Sequence, residues 1–465
     1  MKETIYNNLL KNINITVARK INEQKAKIFN AIPFKENEKE VYVYCSEVNK
    51  KVEEDMLFIF RKKVILILIK KEEIQYLIKI AYLGQKKEAY DIIIKEAIKL
   101  NVSDIHYEPY KDYVVVRFRI DGLLRSMYIF NKEEYQLILS KIKLNSNIDI
   151  TEKRKPQDGK ISFEYNKKSY DLRISTMPAV FGEKVVIRIL YGNGFNYSID
   201  KLNLTAEQKD KLKYIMKVKS GLIIVNGPTG SGKSTTLYSI LQELNKDEVN
   251  ISSLEDPIEA IIPGINQMNL NKTLNIGFAE GLRCFLRQDP DIIMIGEIRD
   301  EETAEMAVRA SLTGHKVYST IHTRDPREVY FRLEDMKVEK YLIRDSLVGI
   351  VSQRLIRLLC DNCKTIIDEK NIDGKVIKLY EKCGCNECNF TGYKGRSLVA
   401  AIHVIDNEMK EKIKNINNDN SLLSNLEMIK NLKALLINGN ISLLDYENFI
   451  EVEGLSFEFK KESKL

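Results

Sequence analysis

One octapeptide, Gly227-Pro-Thr-Gly-Ser-Gly-Lys-Ser234, narrows the folds open to this chain more than any other stretch. The apolar run Leu222-Ile-Ile-Val225 leads into it, and Thr235-Thr-Leu-Tyr-Ser-Ile-Leu241 follows as a helix. A strand, a glycine-rich turn and a helix in that order match the G-x-x-x-x-G-K-[ST] phosphate cradle. Gly227, Gly230 and Gly232 let backbone N–H groups close round a β-phosphate. Lys233 brings a point charge to the β/γ oxygens, and Ser234 offers a hydroxyl to Mg²⁺. Pro228, Thr229, Ser231 and Thr235 complete the candidate nucleotide-binding set, at the positive end of a helix.

The surrounding pattern agrees. Thr205-Ala-Glu-Gln208 fits a capping box that opens a helix. Leu222–Val225, Ile292–Ile295 and Val317–Ile321 read as strands, and Glu301–Leu312 as a helix capped by Asp300 and ended by Gly314. Such alternation, lasting to about residue 356, predicts an α/β fold: a mainly parallel sheet with helices on both faces. In such a sheet the carboxyl ends of the strands face the ligand crevice. Two acidic segments fall there, Leu254-Glu-Asp-Pro-Ile-Glu259 and Asp291-Ile-Ile-Met-Ile-Gly-Glu297. An isolated Glu would read as a solvated turn acid. Beside a phosphate loop, Glu255 and Glu297 become candidates for Mg²⁺ binding and water positioning. His315 and His322 bracket one strand at an odd separation, so they point to opposite faces. Arg283 and Arg287 stand at i, i+4 on one helix face, followed by Arg299 and Arg309; Arg173 and Arg188 lie in the preceding domain. Surface ion pairs are the default for most of these arginines, and delivery to a phosphate is the alternative.

The 465 residues suggest about three domains at the usual size. Residues 1–85 are rich in Lys and Glu, residues 86–198 read as a mixed α/β domain, and Gly192-Asn-Gly194 reads as a linker. An ATPase core is placed at 199–405 and a polar helical region at 406–465. Val64–Ile69 is hemmed in by lysines, and no run reaches the roughly 20 apolar residues of a bilayer span. The first residues carry no apolar signal core. The net charge of +7 is spread thinly and does not by itself argue for nucleic acid. Five of the seven cysteines crowd between Cys360 and Cys388. Cys360-Asp-Asn-Cys363 and Cys385-Asn-Glu-Cys388 can close a tetrahedral structural Zn²⁺ site, with Cys383 as an extra thiol able to substitute. The flanking sequence suggests a small loop-rich unit in a reducing compartment.

Taken together, the strings SDIHYEP, RFRIDG, PQDGKI, DLRISTMPAVFGEKVVIR, GPTGSGKSTTLYS, LEDPIE, LRQDPDIIMIGEIRDEETAEMAVRASLTGHKVYSTIHT and QRL resemble one family, the type II secretion / type IV pilus assembly ATPases. The resemblance covers about residues 86–400. It implies a RecA-like P-loop ATPase domain, a mixed α/β (PAS-like) domain before it, and a tetracysteine zinc subdomain at about 357–396. Within it Gly227–Ser234 is the Walker A loop, and Glu255, Asp256 and Glu259 are the acidic box, with Glu255 polarising the attacking water. Glu297 is the Walker B glutamate, and His315 and His322 are the His box. Arg173 and Arg188 turn toward the phosphates, with Arg283, Arg287 and Arg299 around the site. ATP, Mg²⁺ and structural Zn²⁺ are the implied cofactors. The implied assembly is a cytoplasmic ring hexamer, working at the inner face of the plasma membrane on a platform protein that extracts pilin. A hinge at 192–200 fits domain closure on nucleotide. The short N-terminal region lacks the cyclic-dinucleotide motif of some relatives, and the retraction-type C-terminal motif is absent, which favours assembly. A P-loop nucleic-acid motor, such as a ring helicase or packaging ATPase, is the competing class, and lack of a DNA-binding module counts against it.

Overall fold

The computed structural model describes residues 13–191, 198–270, 276–372, 375–389, 391–414, 416 and 422–455. The linker expected at Gly192–Gly194, and most of the hinge expected at 192–200, lie outside them. The chain divides into two units, 1–193 with 384–391, and 194–383 with 392–465.

The first unit holds two sheets. Strands β1 (Ala31–Glu36), β2 (Glu40–Cys45) and β3 (Lys63–Leu68) form a small mixed sheet, with the Lys50–Phe60 helix crossing from β2 to the parallel β3. The lysine-flanked run at Val64 is thus an edge strand. Residues 13–85 build a core around Ile32, Val43, Met56 and Ile78, which Ile129 of the following strands joins. Next come β4 (Asp104–Pro109), β5 (Tyr113–Ile120), β6 (Leu123–Asn131), β7 (Gln157–Tyr165), β8 (Lys168–Ala179) and β9 (Gly182–Leu190). They form one antiparallel sheet in the order β6-β5-β4-β9-β8-β7. Strand β9 alternates buried Val185, Ile187 and Ile189 with open Lys184 and Arg188, the period-two pattern of a sheet with one face on a core. That core is closed by the helices Ala89–Lys99 and Lys132–Asn145.

The second unit is built on β10 (Gly221–Asn226), β11 (Ile251–Glu255), β12 (Asn266–Asn269), β13 (Ile292–Ile295), β14 (Lys316–Ile321), β15 (Leu347–Leu359) and β18 (Tyr393–Val404). Their order is β12-β11-β13-β14-β10-β15-β18, parallel except for β18 against β15. All six residues of β10 are buried, as expected of a central parallel strand covered on both faces. One face packs under Leu282, Val308 and Leu333, the other under Leu212, Leu237 and Leu241. The capping box at Thr205 and Gln208 and the Asp300 N-cap form as expected.

Two expectations are corrected. The cysteine-bearing insert is not loop-rich throughout: β16 (Thr365–Ile372) and β17 (Lys375–Glu381) pair as an antiparallel hairpin. The C-terminal region is helical but not polar all round. Its helices Glu427–Ile437 and Leu443–Val452 bury Leu432, Leu436 and Tyr446 with Val399 and Ala401 of β18. Lys430 on the first and Glu447 and Glu451 on the second are exposed, and composition alone averages them with the apolar stripe.

Candidate nucleotide-phosphate site

Strand β10 ends at Asn226, the glycine-rich loop turns, and the helix Lys233–Leu244 begins with Gly232 as N-cap. Gly230 and Gly232 take φ of 80° and 88°, a left-handed backbone that glycine adopts without a Cβ clash. Gly227 is required for space as well: a Cβ there would stand 2.5 Å from the Gln353 carbonyl oxygen. Gln353, on the neighbouring β15, donates from Nε2 to the Ser231 carbonyl at 2.8 Å and accepts from Thr236 Oγ1 at 2.8 Å. The loop is therefore braced by the protein's own contacts. Ser231 Oγ and Asn226 Oδ1 are buried with no hydrogen-bond partner, so polar capacity is left over at the loop.

Lys233 Nζ donates to the carbonyls of Gly227 and Pro228 at 2.8 and 3.1 Å, and lies 3.3 Å from His322 Nδ1. Burial pushes its pKa down to about 8, opposed by the nearby Glu297 charge. An ammonium has only donors, so His322 Nδ1 accepts and the ring proton sits on Nε2. That nitrogen faces Glu297 Oε2 at 3.3 Å. Burial, with the Lys233 charge second, lowers the His322 pKa and keeps the ring neutral.

The two glutamates reach the pocket from the ends of β11 and β13, as the parallel arrangement predicts. Glu255 is buried and accepts from Tyr238 OH, from Ser253 Oγ at 2.7 Å and from Gln267 Nε2 at 3.1 Å. Burial raises its pKa, and these donors pull the other way. Glu297 pairs with Arg299 at 2.5 Å. With Thr229, Gly230, Gly232, Lys233, Ser234, Thr235, Asp256 and Glu259 they line a cavity of about 360 Å³. A ring of backbone donors, one ammonium, one hydroxyl and a set of carboxylates suits a magnesium-bound triphosphate.

Other residues go elsewhere. His315 precedes β14 and bonds Ala310 O at 3.0 Å, at the end of the strand opposite His322, so it does not line the phosphate pocket. Both histidines stand outside the strand, His315 before its first residue and His322 after its last, so strand ends and not the expected alternation of faces separate them. Arg283 pairs with exposed Glu280 and Glu302, and Arg309 with Glu305. Arg287 lies beyond the end of the Phe278–Phe285 helix, with Cys284 Sγ 3.7 Å away, so the two arginines share no continuous helical face. Neither lines the cavity; Arg299 reaches only its rim partner Glu297. Sequence reasoning missed Gln353 and Arg396, which line or brace the site from β15 and β18. Both lie more than 100 residues from the loop, and only sheet order brings them back.

In the first unit, strand register puts Lys160, Arg173, Arg188, Asp104 and Arg119 in one row across the antiparallel sheet. Asp104 takes Arg188 at 2.9 Å and Arg119 at 3.4 Å. Among the described residues no carboxylate pairs with Arg173. Lys160, Arg173 and Arg188 line a second cavity of about 510 Å³.

The Sγ atoms of Cys360, Cys363, Cys385 and Cys388 all lie within 4.8 Å of one another, while Cys383 is outside the group. Cys385 and Cys388 Sγ are 3.8 Å apart, which equals the edge of a tetrahedron with roughly 2.3 Å Zn–S bonds. The four thiols fit a zinc ion.

The family model for "Type II/IV secretion system protein" matches residues 83–446. The chain belongs to that family. This secretion-family chain is 45% identical over 329 residues to the type II secretion system ATPase E of Vibrio cholerae, covering 69% of this chain and 65% of that protein. It is 39% identical over 366 residues to the type IV pilus assembly ATPase TfpB of Acinetobacter baylyi, covering 76% of this chain and 62% of that one. Among solved structures, the pilus retraction motor PilT with bound ADP is similar at a TM-score of 0.52 and 27% identity, covering 76% of this chain and 94% of that one. The family member described here is an ATPase with a mixed α/β ATPase fold. Among its described residues no helix is long and apolar enough to cross a membrane.

Proposed function

We propose that this ATPase is the motor of a type IV pilus or a related filament, either a competence pseudopilus or a type II secretion system. The observation that supports this best is the pocket in which Lys233, Glu255, Glu297 and His322 converge on one phosphate loop. In this reading the loop N–H groups and Lys233 hold the phosphates, and Ser234 holds Mg²⁺. Held by Ser234, the ion would supply positive charge against the phosphates. Glu255, oriented by Tyr238, Ser253 and Gln267, accepts the proton of the attacking water. Glu297, with Arg299 on one oxygen and neutral His322 beside the other, orients the metal-bound side of the phosphate. Arg173 and Arg188 bring their cations to the γ-phosphate when nucleotide binds.

The reading extends to organisation. The 199–405 core is RecA-like, residues 86–198 form a PAS-like domain, residues 1–85 are a shortened N-terminal domain, and 406–465 is a helical appendage. The insert at about 357–396 is stapled by zinc on Cys360, Cys363, Cys385 and Cys388. Protomers form a ring of six at the cytoplasmic face of the plasma membrane. Domain closure on ATP drives an inner-membrane platform protein that extracts pilin subunits.

The experiment is ATP turnover against protein concentration, with mass determination on the same samples, for wild type and Glu297→Gln. Turnover should rise with hexamer formation, and the variant should bind ATP yet turn over about 10²–10³ times more slowly. Wild-type turnover in the variant, or full turnover by a stable monomer, would sink the proposal.

A further inference from the structure

Arg354 follows Gln353 on β15, and only 4% of it is exposed. A guanidinium so deeply buried has to place its donors inside the protein. Nε and one terminal nitrogen hold Glu453 in a two-pronged pair at 2.8 and 2.5 Å. That same nitrogen donates to the Arg324 carbonyl at 2.7 Å, and the other terminal nitrogen donates to the Gln353 carbonyl at 2.9 Å. Glu453 is the C-cap of the last described helix, Leu443–Val452.

Both carbonyls belong to segments that build the phosphate pocket. Gln353 braces the loop through Ser231 and Thr236, and its carbonyl is the surface on which Gly227 rests. Arg324 stands two residues after His322, and Thr323 between them receives the Asn226 side chain. A second grip comes from the C-terminal region: Asn425 Nδ2 donates to the same Arg324 carbonyl at 3.2 Å.

We propose that Arg354 is a positioning residue for ATP turnover, through which the C-terminal helices set the His322 segment and the phosphate loop. Stability alone is a weak reason to keep such a pair, because well-packed apolar residues commonly replace a buried ion pair at no loss. The planar fork does what they would not: it satisfies one carboxylate and two carbonyls in fixed directions. The C-terminal helices, remote in sequence, thereby reach the reacting end of the nucleotide. Anything that loosens Glu453 would release His322 before it releases nucleotide.

The test uses the full chain and two variants. In Arg354→Met with Glu453→Leu both charges go, so no unpaired ion is left buried and the fold is retained, while both carbonyls lose the guanidinium donors and the Arg324 carbonyl keeps only Asn425. Its kcat should fall about tenfold, with KM for ATP within about twofold. Asn425→Ala leaves the ion pair in place and should lower kcat about threefold, again with little change in KM. Folded variants with wild-type kcat, or with kcat and nucleotide affinity falling in step, would overturn the proposal. If the double variant does not fold, Asn425→Ala decides alone. The proposal rests on the phosphate-pocket reading, which Lys233→Ala tests separately: that variant should lose nucleotide binding, and normal binding there would remove both.

Discussion

The two large sheets put chemistry in different places. In the parallel sheet of the second unit β10 is buried along its whole length, so its functional groups sit on the loops at the carboxyl ends of the strands. In the antiparallel sheet of the first unit one face covers a core and the other carries the cations, in a single row from Lys160 to Arg119. A covered sheet can present chemistry only at its ends, where chain direction matters. A half-covered sheet presents it along its face, where strand register matters.

The sharpest way to break the contrast is at a strand end. Glu255→Gln keeps the shape of the β11 terminus but removes the proton acceptor, so kcat should drop about 10²–10⁴-fold in a steady-state assay while nucleotide still binds. A variant of near-normal kcat would mean that the buried carboxylate only packs. On the sheet face, Arg188→Ala removes one cation from the row and should lower kcat by about 10²-fold, leaving ATP affinity within a few fold. Equal losses in both would place the row in binding rather than in turnover.

The pH profile separates the carboxylate from the amine. Burial holds Glu255 above its ordinary range, so it takes up a proton at higher pH than a free glutamate, and the acid limb of kcat/KM should stand above about 4.3. Burial lowers Lys233 to about 8, so affinity for nucleotide should decline as pH rises through that value, about tenfold per unit beyond it. An alkaline limb that appears only near 10.5, the ordinary lysine value, would show that burial exerts no such pressure. The smallest effect belongs to Arg283→Ala. Its partners Glu280 and Glu302 are surface acids, so the thermal midpoint and kcat should both stay close to wild type. A large fall in kcat would bring Arg283 to the site by a route outside this pocket.

Much of the fold was legible because the signals are local. Short apolar runs marked the strands at Leu222–Val225, Ile292–Ile295 and Val317–Ile321, and the spacing between Asp300 and Gly314 marked the helix Glu301–Leu312. The cap at Asp300 and the capping box of Thr205 with Gln208 are set by residues within a few positions of each other. The hairpin of β16 and β17 was obscured by the cysteines that flank it, and the buried stripe of the C-terminal helices by their charged residues. The arginines were the least legible. Arg283, Arg287 and Arg299 resemble site residues by position in a motif, yet once the chain is folded Arg283 and Arg299 take neighbouring acids and Arg287 turns to Cys284.

By itself the amino-acid sequence determined the phosphate loop, the acids at the ends of two strands and the paired thiols, because each depends on residue types at short fixed spacings. Tertiary structure alone decided that Gln353 braces the loop, that His322 and not His315 faces Lys233, and that Arg354 ties Glu453 to Arg324. Those contacts span from 30 to 122 residues, and a strand order of β14-β10-β15 must exist before any of them can form. Local spacing carries no record of that order, which the packing of two apolar sheet faces selects for the whole domain at once.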